Sequence, residues 1–505
     1  MNDNSRDWIA GSRPQWRDLR EWMALLEARG DLQHITAPVD PNEELGAVTF
    51  MATRETPSPA FLFEQFTGEN PLDARVLTNM LGASASRYAM ALGLDPGLTI
   101  RDLVDATRSI TKRRIAPVWV EASSAPVNEI ILEGDDIDLT KLPVPTFWPG
   151  DGGPFIGTGG ITITADPATG RLNVGCYRQQ LHGPRRIGLN FVPGRHGEAD
   201  VKAAWAQGKP AEVVAAFGVD PVLFMVSAMK FLPGESEFDA AGGMMGRPLE
   251  LTRGRHVSLP IPANAEIVIE GLVHEGDVET EGPLGEFHGF YSGGSARKPV
   301  IEVHTLRMRS SPIITGALMA TYPSCENGAH MAIMRSARIM DDLDRIGLPG
   351  VRSVYCHPAA ASGNCLAVVS IEQKYPGHSG QALALTAQCP TASYYTKWVI
   401  VVDADVDPTN LEEVFWAMSV RCNPSDDLDI LRHAMSFRAD PSLAPEVKPF
   451  GSKVLVNACT PYKYLGKPPI KAELRQSVYQ RVRERWGELG MRGRVPDIGS
   501  FHGEK

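Results

Sequence analysis

Glu281 and Glu286 stand at the two ends of the segment EGPLGE, which Phe287 follows. Glycine and proline oppose a helix here, so a tight loop can bring both carboxylates to one cavity. Two neighbouring carboxylates push their pKa values apart, which provides an acid and a base at neutral pH. A solvated acidic turn is the other interpretation, but the apolar residues around the pair favour a cavity. We therefore expect acid–base chemistry at this loop.

Arg178 is a cation that could serve such a pair. It ends the segment NVGCYR, in which strand alternation places it on the same face as Val174 and Cys176. A guanidinium among apolar residues requires an anion, and its planar fork binds a carboxylate through two hydrogen bonds. That anion is expected to be a substrate acid group or one of the two glutamates. An interdomain salt bridge is the alternative.

Asn173, His196 and Glu237 form a candidate set of metal ligands. If they converge, an amide, an imidazole and a carboxylate suit Mn²⁺ or Mg²⁺, completed by water or phosphate, rather than structural zinc. The three residues are far apart in the sequence. The alternative is that His196 is an ordinary hydrogen-bonded loop histidine.

Several common catalytic motifs are missing, among them the P-loop, the Rossmann glycine fingerprint, H-E-x-x-H and G-x-S-x-G. Gly150-Asp151-Gly152 followed by Asn173 resembles a thiamine-diphosphate pattern. The spacing is short, however, and the glycines lie in a turn before a strand. A thiamine-dependent lyase is therefore kept only as an alternative function.

The periodicity of the chain predicts an α/β architecture around these residues. Helices are predicted at Trp16–Leu32, ended by Gly30, and at Ile100–Ile110, opened by Thr99. The middle third predicts a barrel-like or split sheet with a hairpin turn at Asp166–Gly170 and a helix at Ala199–Gln207. Its predicted strands are Phe155–Ala165, Arg171–Gln179, Ile187–Val192, Pro221–Met229, Ala265–Val273 and Pro299–Met308.

The last third is predicted to form an α/β layer. The pattern is helical from Asn327 through Ile346, and strands with helices between them follow. These strands are predicted at Val351–Cys356, Cys365–Glu372 and Trp398–Ala404. A charged helix at Glu473–Glu488 closes the chain, and such an end often docks on a neighbouring subunit or domain.

Bulk composition excludes several functional classes. A chain of 505 residues predicts two or three domains, and its net charge of −10 argues against nucleic-acid and anionic-membrane partners. No apolar run is long enough to span a membrane, and the polar N-terminus argues against secretion. Seven single cysteines without a C-x-x-C motif predict reduced cytoplasmic thiols, most of them in the core.

Taken together, the order and spacing of four segments resemble the UbiD family of decarboxylases, which includes ferulic acid decarboxylase. The segments are Asn173–Arg178, His196, Ser236-Glu237 with Gly246-Arg247, and Glu281–Glu286. The resemblance implies a carboxy-lyase with three parts. These are an N-terminal α/β domain (1–120), a central split β-barrel that binds prenylated FMN (121–320), and a C-terminal α/β oligomerisation domain (321–505).

The resemblance also implies site residues and cofactors. Arg178, Glu281 and Glu286 match a catalytic network in which Glu286 donates the proton. Asn173, His196 and Glu237 match the metal ligands, with Mn²⁺ or Mg²⁺ bridging to the cofactor phosphate, and K⁺ is a further expected ion. A flavin-site lysine of ferulic acid decarboxylase has only Lys397 as a candidate counterpart. The residues implied at the cofactor are Thr158, Cys176, Tyr177, Arg178, Arg195, His196, Ser227, Met229 and Glu237.

A substrate pocket is expected at Val192, Phe287 and Asn327. An amide at Asn327 could bind a ring N–H or a hydroxyl, which favours a pyrrole, an indole or a fused-ring acid; helix capping is the alternative. The resemblance implies reversible decarboxylation with CO₂ as product, a separate flavin prenyltransferase that supplies the cofactor, and a homodimer or homohexamer. A non-catalytic flavin- or metal-binding partner subunit is the alternative function.

Overall fold

The computed structural model describes residues 13–191, 194–231, 234–291, 293–467, 469–496 and 498. The described chain is a mixed α/β protein, as predicted, with four β-sheets. None of its described helices is long and apolar enough to cross a membrane.

The N-terminal part places four helices around a small sheet. The helices are α1 (Leu19–Ala28), α2 (Glu44–Ala52), α3 (Ala85–Ala91) and α4 (Ile100–Ile110), and the strands are β1 (Leu32–Ile35), β2 (Ala60–Phe63) and β3 (Arg75–Thr78). Helix α1 is shorter than predicted because Asp18 caps its start by accepting from the Glu21 amide. Helix α4 begins at the predicted Thr99 cap, which accepts from the Asp102 amide. Gly30 has the predicted left-handed backbone after α1.

The central part is built on a nine-stranded sheet. The strands of this part are β4 (Val118–Trp119), β5 (Ile130–Glu133), β6 (Ile161–Ala165), β7 (Leu172–Gly175), β8 (Leu181–Gly183), β9 (Arg186–Gly188), β10 (Ala211–Phe217), β11 (Glu250–Arg253), β12 (Pro260–Pro262), β13 (Ile267–Val273), β14 (Val278–Glu281), β15 (Ala296–Met308) and β16 (Ile313–Gly316). The path runs β7-β6-β10-β13-β15-β9-β8, with β14 and β5 also paired to β15. Strands β7 and β8 are therefore the ends of an open sheet within the described residues.

The first and last strands of the central part belong to other sheets. Strand β16 pairs in parallel with β3 and completes the N-terminal sheet, while β4, β11 and β12 form a separate three-stranded sheet. The predicted hairpin at Asp166–Gly170 is confirmed, since β6 and β7 pair antiparallel on either side of it. The three helices here are α5 (His196–Ala206), α6 (Pro221–Ser227) and α7 (Glu237–Met245).

The prediction of a strand at Pro221–Met229 is wrong, because Pro221–Ser227 form the helix α6. Asp220 accepts hydrogen bonds from the amides of Val222 and Leu223, and Pro221 occupies the first turn, where a proline needs no amide partner. The apolar run is buried on all sides, so it lacks the helical period that would have identified it.

The C-terminal part is a five-stranded mixed sheet covered by helices. Its strands are β17 (Val351–Cys356), β18 (Leu366–Ile371), β19 (Trp398–Asp403), β20 (Leu428–Met435) and β21 (Phe450–Ala458), in the order β17-β18-β19-β21-β20. Its helices are α8 (Gly328–Ile346), α9 (His378–Gln388), α10 (Leu411–Arg421), α11 (Pro424–Asp427) and α12 (Gln476–Glu484). The three strands and the long helix predicted here are confirmed, with small shifts of their ends. All seven cysteines are free thiols, and four of them are buried.

Candidate active site

Arg178 joins the two glutamates of the loop. Its Nε and Nη2 donate to the two carboxylate oxygens of Glu281 at 2.7 and 2.9 Å, and its Nη1 donates to Glu286 at 3.2 Å. Burial lowers the pKa of Arg178, but its bonds to Glu281 and the charge of Glu286 outweigh that effect and raise it. The guanidinium therefore stays charged, and the glutamate pair is not a solvated turn.

The two glutamates differ in environment. Glu281 ends strand β14 and is completely buried, whereas the Glu286 side chain keeps 20% of its surface exposed. Asn190 adds a third donor to Glu281, with Nδ2 at 3.0 Å from Oε2. The Asn190 amide also bonds the Arg178 carbonyl, so one residue positions both partners. Sequence reasoning missed Asn190, since its only local signal is a polar residue between apolar Leu189 and Phe191.

A glutamine fixes the start of the loop. The Oε1 of Gln180 accepts from the Gly282 amide at 2.8 Å, and its Nε2 donates to the Gly152 carbonyl at 2.6 Å. Because Gln180 lies two residues after Arg178, the same chain segment carries the cation and holds the loop that carries the anions. The sequence analysis did not identify Gln180 either.

The three predicted metal ligands come from three elements that meet at β7. Asn173 lies on β7, His196 begins α5 and Glu237 begins α7. The backbone of Val174, next to Asn173, lies close enough to Glu237 to act against the rise in the pKa of its carboxyl. The hydroxyl of Tyr177 accepts from Asn173 Nδ2 at 3.5 Å and from the Gly197 amide at 3.3 Å, which links β7 to the start of α5.

The charge state of this group suits a cation. Burial raises the pKa of Glu237 to about 7 and lowers the pKa of His196. A divalent ion would favour the ionised carboxylate and the neutral imidazole, and the Asn173 amide nitrogen donates to Thr164, which leaves its oxygen to bind. No group of three or more His, Cys, Asp or Glu side chains that could hold a metal ion is found in the described part of the chain, and this set contains one histidine and one glutamate beside the amide. The set therefore fits a hard ion such as Mn²⁺ or Mg²⁺.

The expected cofactor residues lie on both sides of the end of α6. The Cys176 amide donates to the Ser227 carbonyl at 3.2 Å, which joins β7 to α6 directly ahead of Met229. Thr158 accepts from the Ala317 amide at 3.1 Å. Burial raises the pKa of Cys176 to about 11, so this residue presents a neutral thiol. An uncharged thiol at Cys176, near Arg178 in the sequence, is compatible with an apolar flavin ring.

The remaining cofactor candidates contact the C-terminal part. The Arg195 guanidinium lies 5.5 Å from the Tyr394 ring centre. Lys397 bonds Ser442 at 2.6 Å and Asp440 at 3.1 Å, so its ammonium is held within the C-terminal part.

Phe287, next to Glu286, contacts aromatic rings of the C-terminal part. Its ring centre lies 6.0 Å from those of both Tyr395 and Phe437, and these two rings are 5.4 Å apart. Neither Tyr395 nor Phe437 was predicted, because both are more than 100 residues away in the sequence. Val192, the second predicted pocket residue, lies outside the described residues.

Asn327 precedes α8 but makes no side-chain cap bond, so the capping alternative is not observed. Its Nδ2 contacts the Met319 sulfur at 3.5 Å, while its buried Oδ1 has no partner among the described residues. The Met319 carbonyl accepts from Trp148 Nε1 at 3.1 Å, and Trp148 packs on Gly285 of the glutamate loop. Three successive contacts, through Met319 and Trp148, therefore link Asn327 to the loop that bears Glu286.

Three family models match consecutive parts of the chain. They describe the N-terminal, the Rift-related and the C-terminal domains of 3-octaprenyl-4-hydroxybenzoate carboxy-lyase, UbiD, and match residues 23–107, 118–323 and 329–458.

Solved structures agree with the family models. The UbiD-class enzyme HmfF from Pelotomaculum thermopropionicum in complex with FMN is 31% identical over 90% of this chain and 97% of its own, with a TM-score of 0.80. An evolved dimeric form of HmfF in complex with prFMN is 30% identical over 90% of this chain and 99% of its own, with a TM-score of 0.77. The vanillic acid decarboxylase of Sedimentibacter hydroxybenzoicus in closed form is 27% identical over 94% and 99%, with a TM-score of 0.83.

Proposed function

The chain belongs to the UbiD family of carboxy-lyases, and we propose that it decarboxylates an aromatic or heteroaromatic acid, reversibly and without oxidation, with prenylated FMN. The observation that carries this proposal is the unequal sharing of Arg178 between the buried Glu281 and the partly exposed Glu286. The complexes of HmfF with FMN and with prFMN support the choice of cofactor.

The protein residues divide the work of the reaction. When bound, prenylated FMN supplies the electron sink for the charge on the ring carbon, which side chains cannot delocalise. Arg178 orients the substrate acid, and Glu281 holds Arg178 in place. The bond between ring carbon and carboxyl carbon breaks, CO₂ leaves, and a proton from Glu286 takes its place on the ring. Glu286 then regains a proton from water, so the net reaction consumes one carboxylate and one proton.

Asn173, His196 and Glu237 would hold a Mn²⁺ or Mg²⁺ ion, whose charge would help to bind the cofactor phosphate. K⁺ is a further proposed ion, to which no residue is assigned. Thr158, Cys176, Tyr177, Arg195, Ser227 and Met229 would line the flavin. A flavin prenyltransferase would supply the prenylated cofactor.

The proposed substrate class rests on Asn327. Its buried Oδ1 lacks a donor among the described residues, and a ring N–H from a pyrrole, an indole or a fused-ring acid would provide one. Asn327→Leu should lose the preference for N–H heterocycles over matched carbocyclic acids by at least tenfold in kcat/KM. An unchanged preference would remove this substrate class while leaving the reaction class in place.

The test of the reaction class uses holoprotein from co-expression with a flavin prenyltransferase. Mass and absorption spectra should identify prenylated FMN, and a panel of aromatic acids in D₂O should yield CO₂ and ring-deuterated product. Bound flavin with no CO₂ and no deuterium exchange would favour the non-catalytic partner subunit. Bound thiamine diphosphate without flavin absorbance would favour the thiamine-dependent lyase.

We also propose that two or six copies assemble through the C-terminal part. Strand β20 is one of the two edge strands of its sheet and exposes Ile430, while α10 exposes Phe415 and Val420, and Phe450 is 73% exposed. An open edge beside exposed apolar residues pairs readily with a second copy of the same edge. Light scattering should give a multiple of the 54.9 kDa chain. Ile430→Lys should yield a monomer, whereas Met51→Lys, at an exposed N-terminal residue, should not.

A further inference from the structure

The turn Gly150-Asp151-Gly152 contacts the glutamate loop (Glu281–Glu286) at two points, and at a third it contacts Tyr291, which pairs with Gly285. The Gly152 amide donates to the Pro283 carbonyl at 2.9 Å, and the Gly150 amide donates to the Tyr291 hydroxyl at 2.8 Å. Between them, the Asp151 Oδ1 accepts from the Gly285 amide at 2.8 Å. The turn that resembled part of a thiamine pattern is therefore engaged with the loop that carries Glu286.

Both carboxylate oxygens of Asp151 accept hydrogen bonds from backbone amides. While Oδ1 binds Gly285, Oδ2 accepts from the Trp148 amide at 3.0 Å. Burial raises the pKa of Asp151, whereas these amides and the charge of Arg178 act against that rise. No positive side chain among the described residues bonds to this half-buried carboxylate, so the two backbone amides must compensate for its lost hydration.

The packing between the turn and the loop leaves no room for adjustment. A Cβ atom on Gly152 would lie 2.2 Å from the Gly282 carbonyl oxygen, and one on Gly285 would lie 2.3 Å from Trp148 Cδ1. Both backbones approach as closely as only glycine allows. The position of the turn therefore dictates the position of the loop.

We infer that Asp151 is a positioning residue for proton transfer, which acts through the Gly285 peptide to fix the direction of the Glu286 side chain. Gly285 directly precedes Glu286, and that side chain must reach both Arg178 and the ring carbon of the substrate. Asp151 itself touches neither substrate nor cofactor in this role. The inference rests on the proposed function, in which Glu286 is the proton donor.

Asp151→Asn tests the inference because an amide offers one acceptor where two backbone donors converge. One of the Gly285 and Trp148 amides would then face an NH₂ group, and the loop would shift. A misplacement of about 1 Å costs roughly 100-fold in rate. We expect kcat to fall by about that factor, while KM, flavin content and melting temperature stay close to wild type. Amide hydrogen exchange in a peptide containing Gly285 should also accelerate.

Two further variants complete the test. Tyr291→Phe removes the bond to Gly150 and keeps the carboxylate, so it should lower kcat in the same direction by a smaller factor. Asp166→Asn is the matched control. The Asp166 carboxylate also accepts a hydrogen bond from a backbone amide, that of Ala168, but it lies in the β6–β7 hairpin. This control should retain wild-type kcat.

The outcomes separate this inference from the function on which it rests. If Glu286→Gln abolishes turnover while Asp151→Asn and Tyr291→Phe both keep kcat within twofold of wild type, the positioning role is overturned. Loss of flavin and of melting temperature in proportion to activity would also overturn it, since that pattern indicates a purely structural residue. An active Glu286→Gln enzyme would instead contradict the proposed function.

Discussion

At the scale of single residues, the different roles proposed for the two glutamates follow from the hydrogen bonds that each accepts. Glu281 is buried and accepts from Arg178 Nε, Arg178 Nη2 and Asn190 Nδ2. Three donors hold the Glu281 carboxylate in a fixed position. The bond from Arg178 to Glu286 is single and longer, and the partly exposed side chain has space to meet a substrate. This asymmetry supports Glu286 as the residue that exchanges a proton.

Asn190→Ala should lower kcat by roughly 10- to 100-fold, the value of one hydrogen bond to a charged group. The remaining two donors come from Arg178, which would then be free to shift between the two glutamates. Flavin content and KM should change little. Steady-state kinetics of flavin-loaded enzyme provide the measurement.

Two variants define the outcome of the Asn190 experiment. Asn190→Asp should be the more damaging change, because it opposes a second carboxylate to Glu281. Asn423→Ala is the control, since Asn423 also donates to a carboxylate, that of Asp426, on the exposed C-terminal surface. Equal kcat in Asn190→Ala and wild type would show that Glu281 does not depend on this donor.

Sequence reasoning reached Arg178, Glu281 and Glu286 but not the roles of the residues that position them. Arg178, Glu281 and Glu286 attract notice because charged groups beside apolar residues need partners. Asn190 and Asp151 do not, since their partners lie 91 and 134 residues away and depend on strand register. No local pattern encodes such a register.

At the scale of elements, α6 was the clearest failure of prediction and has a measurable consequence. Burial raises the pKa of its cap, Asp220, to about 6, against opposing bonds from Leu223 and Val222. A carboxyl with a raised folded pKa binds its proton more tightly when folded. The free energy of unfolding should therefore fall as the pH rises from about 4 to 6.

Asp220→Asn should remove this pH dependence and keep the cap. Both amides of α6 bond to the same oxygen, Oδ1, which an asparagine also provides. Above pH 6 the variant should be more stable than wild type by up to about 3 kcal/mol, and near pH 4 the two should converge. Urea unfolding across this pH range is the measurement.

Asp138, which caps a different turn, provides a control because its pKa is shifted in the opposite direction. The bond from the Thr140 hydroxyl lowers the pKa of the partly exposed Asp138, so Asp138→Asn should lower stability at neutral pH. Parallel pH profiles for wild type and Asp220→Asn would contradict the assigned burial of that carboxyl.

Regular elements were predictable where their period was clear. Helix α4, the hairpin between β6 and β7, and strands β17 to β19 follow alternation or capping signals in the sequence. Helix α6 is apolar throughout and buried, and a buried helix and a buried strand share that pattern. The addition of β16 to the N-terminal sheet is likewise a long-range pairing that no local signal carries.

At the scale of the whole molecule, the candidate active site is formed by two parts of the chain. The loop of the central part bears Glu286 and Phe287, and the C-terminal part covers it with Tyr395 and Phe437. Such a cover would exclude water, which strengthens the electrostatic interactions of Arg178 with both glutamates. The account accordingly requires an intact, flavin-loaded chain for activity.

The most direct measurement compares Glu286→Gln with Glu281→Gln in protein co-expressed with a flavin prenyltransferase. CO₂ release and deuterium incorporation from D₂O are followed, with flavin content measured on the same samples. Glu286→Gln should keep its flavin and lose turnover by about 10² to 10⁴-fold, the usual worth of a general acid. Glu281→Gln should also slow turnover, since it releases Arg178. Turnover near the wild-type rate in flavin-loaded Glu286→Gln would contradict the account.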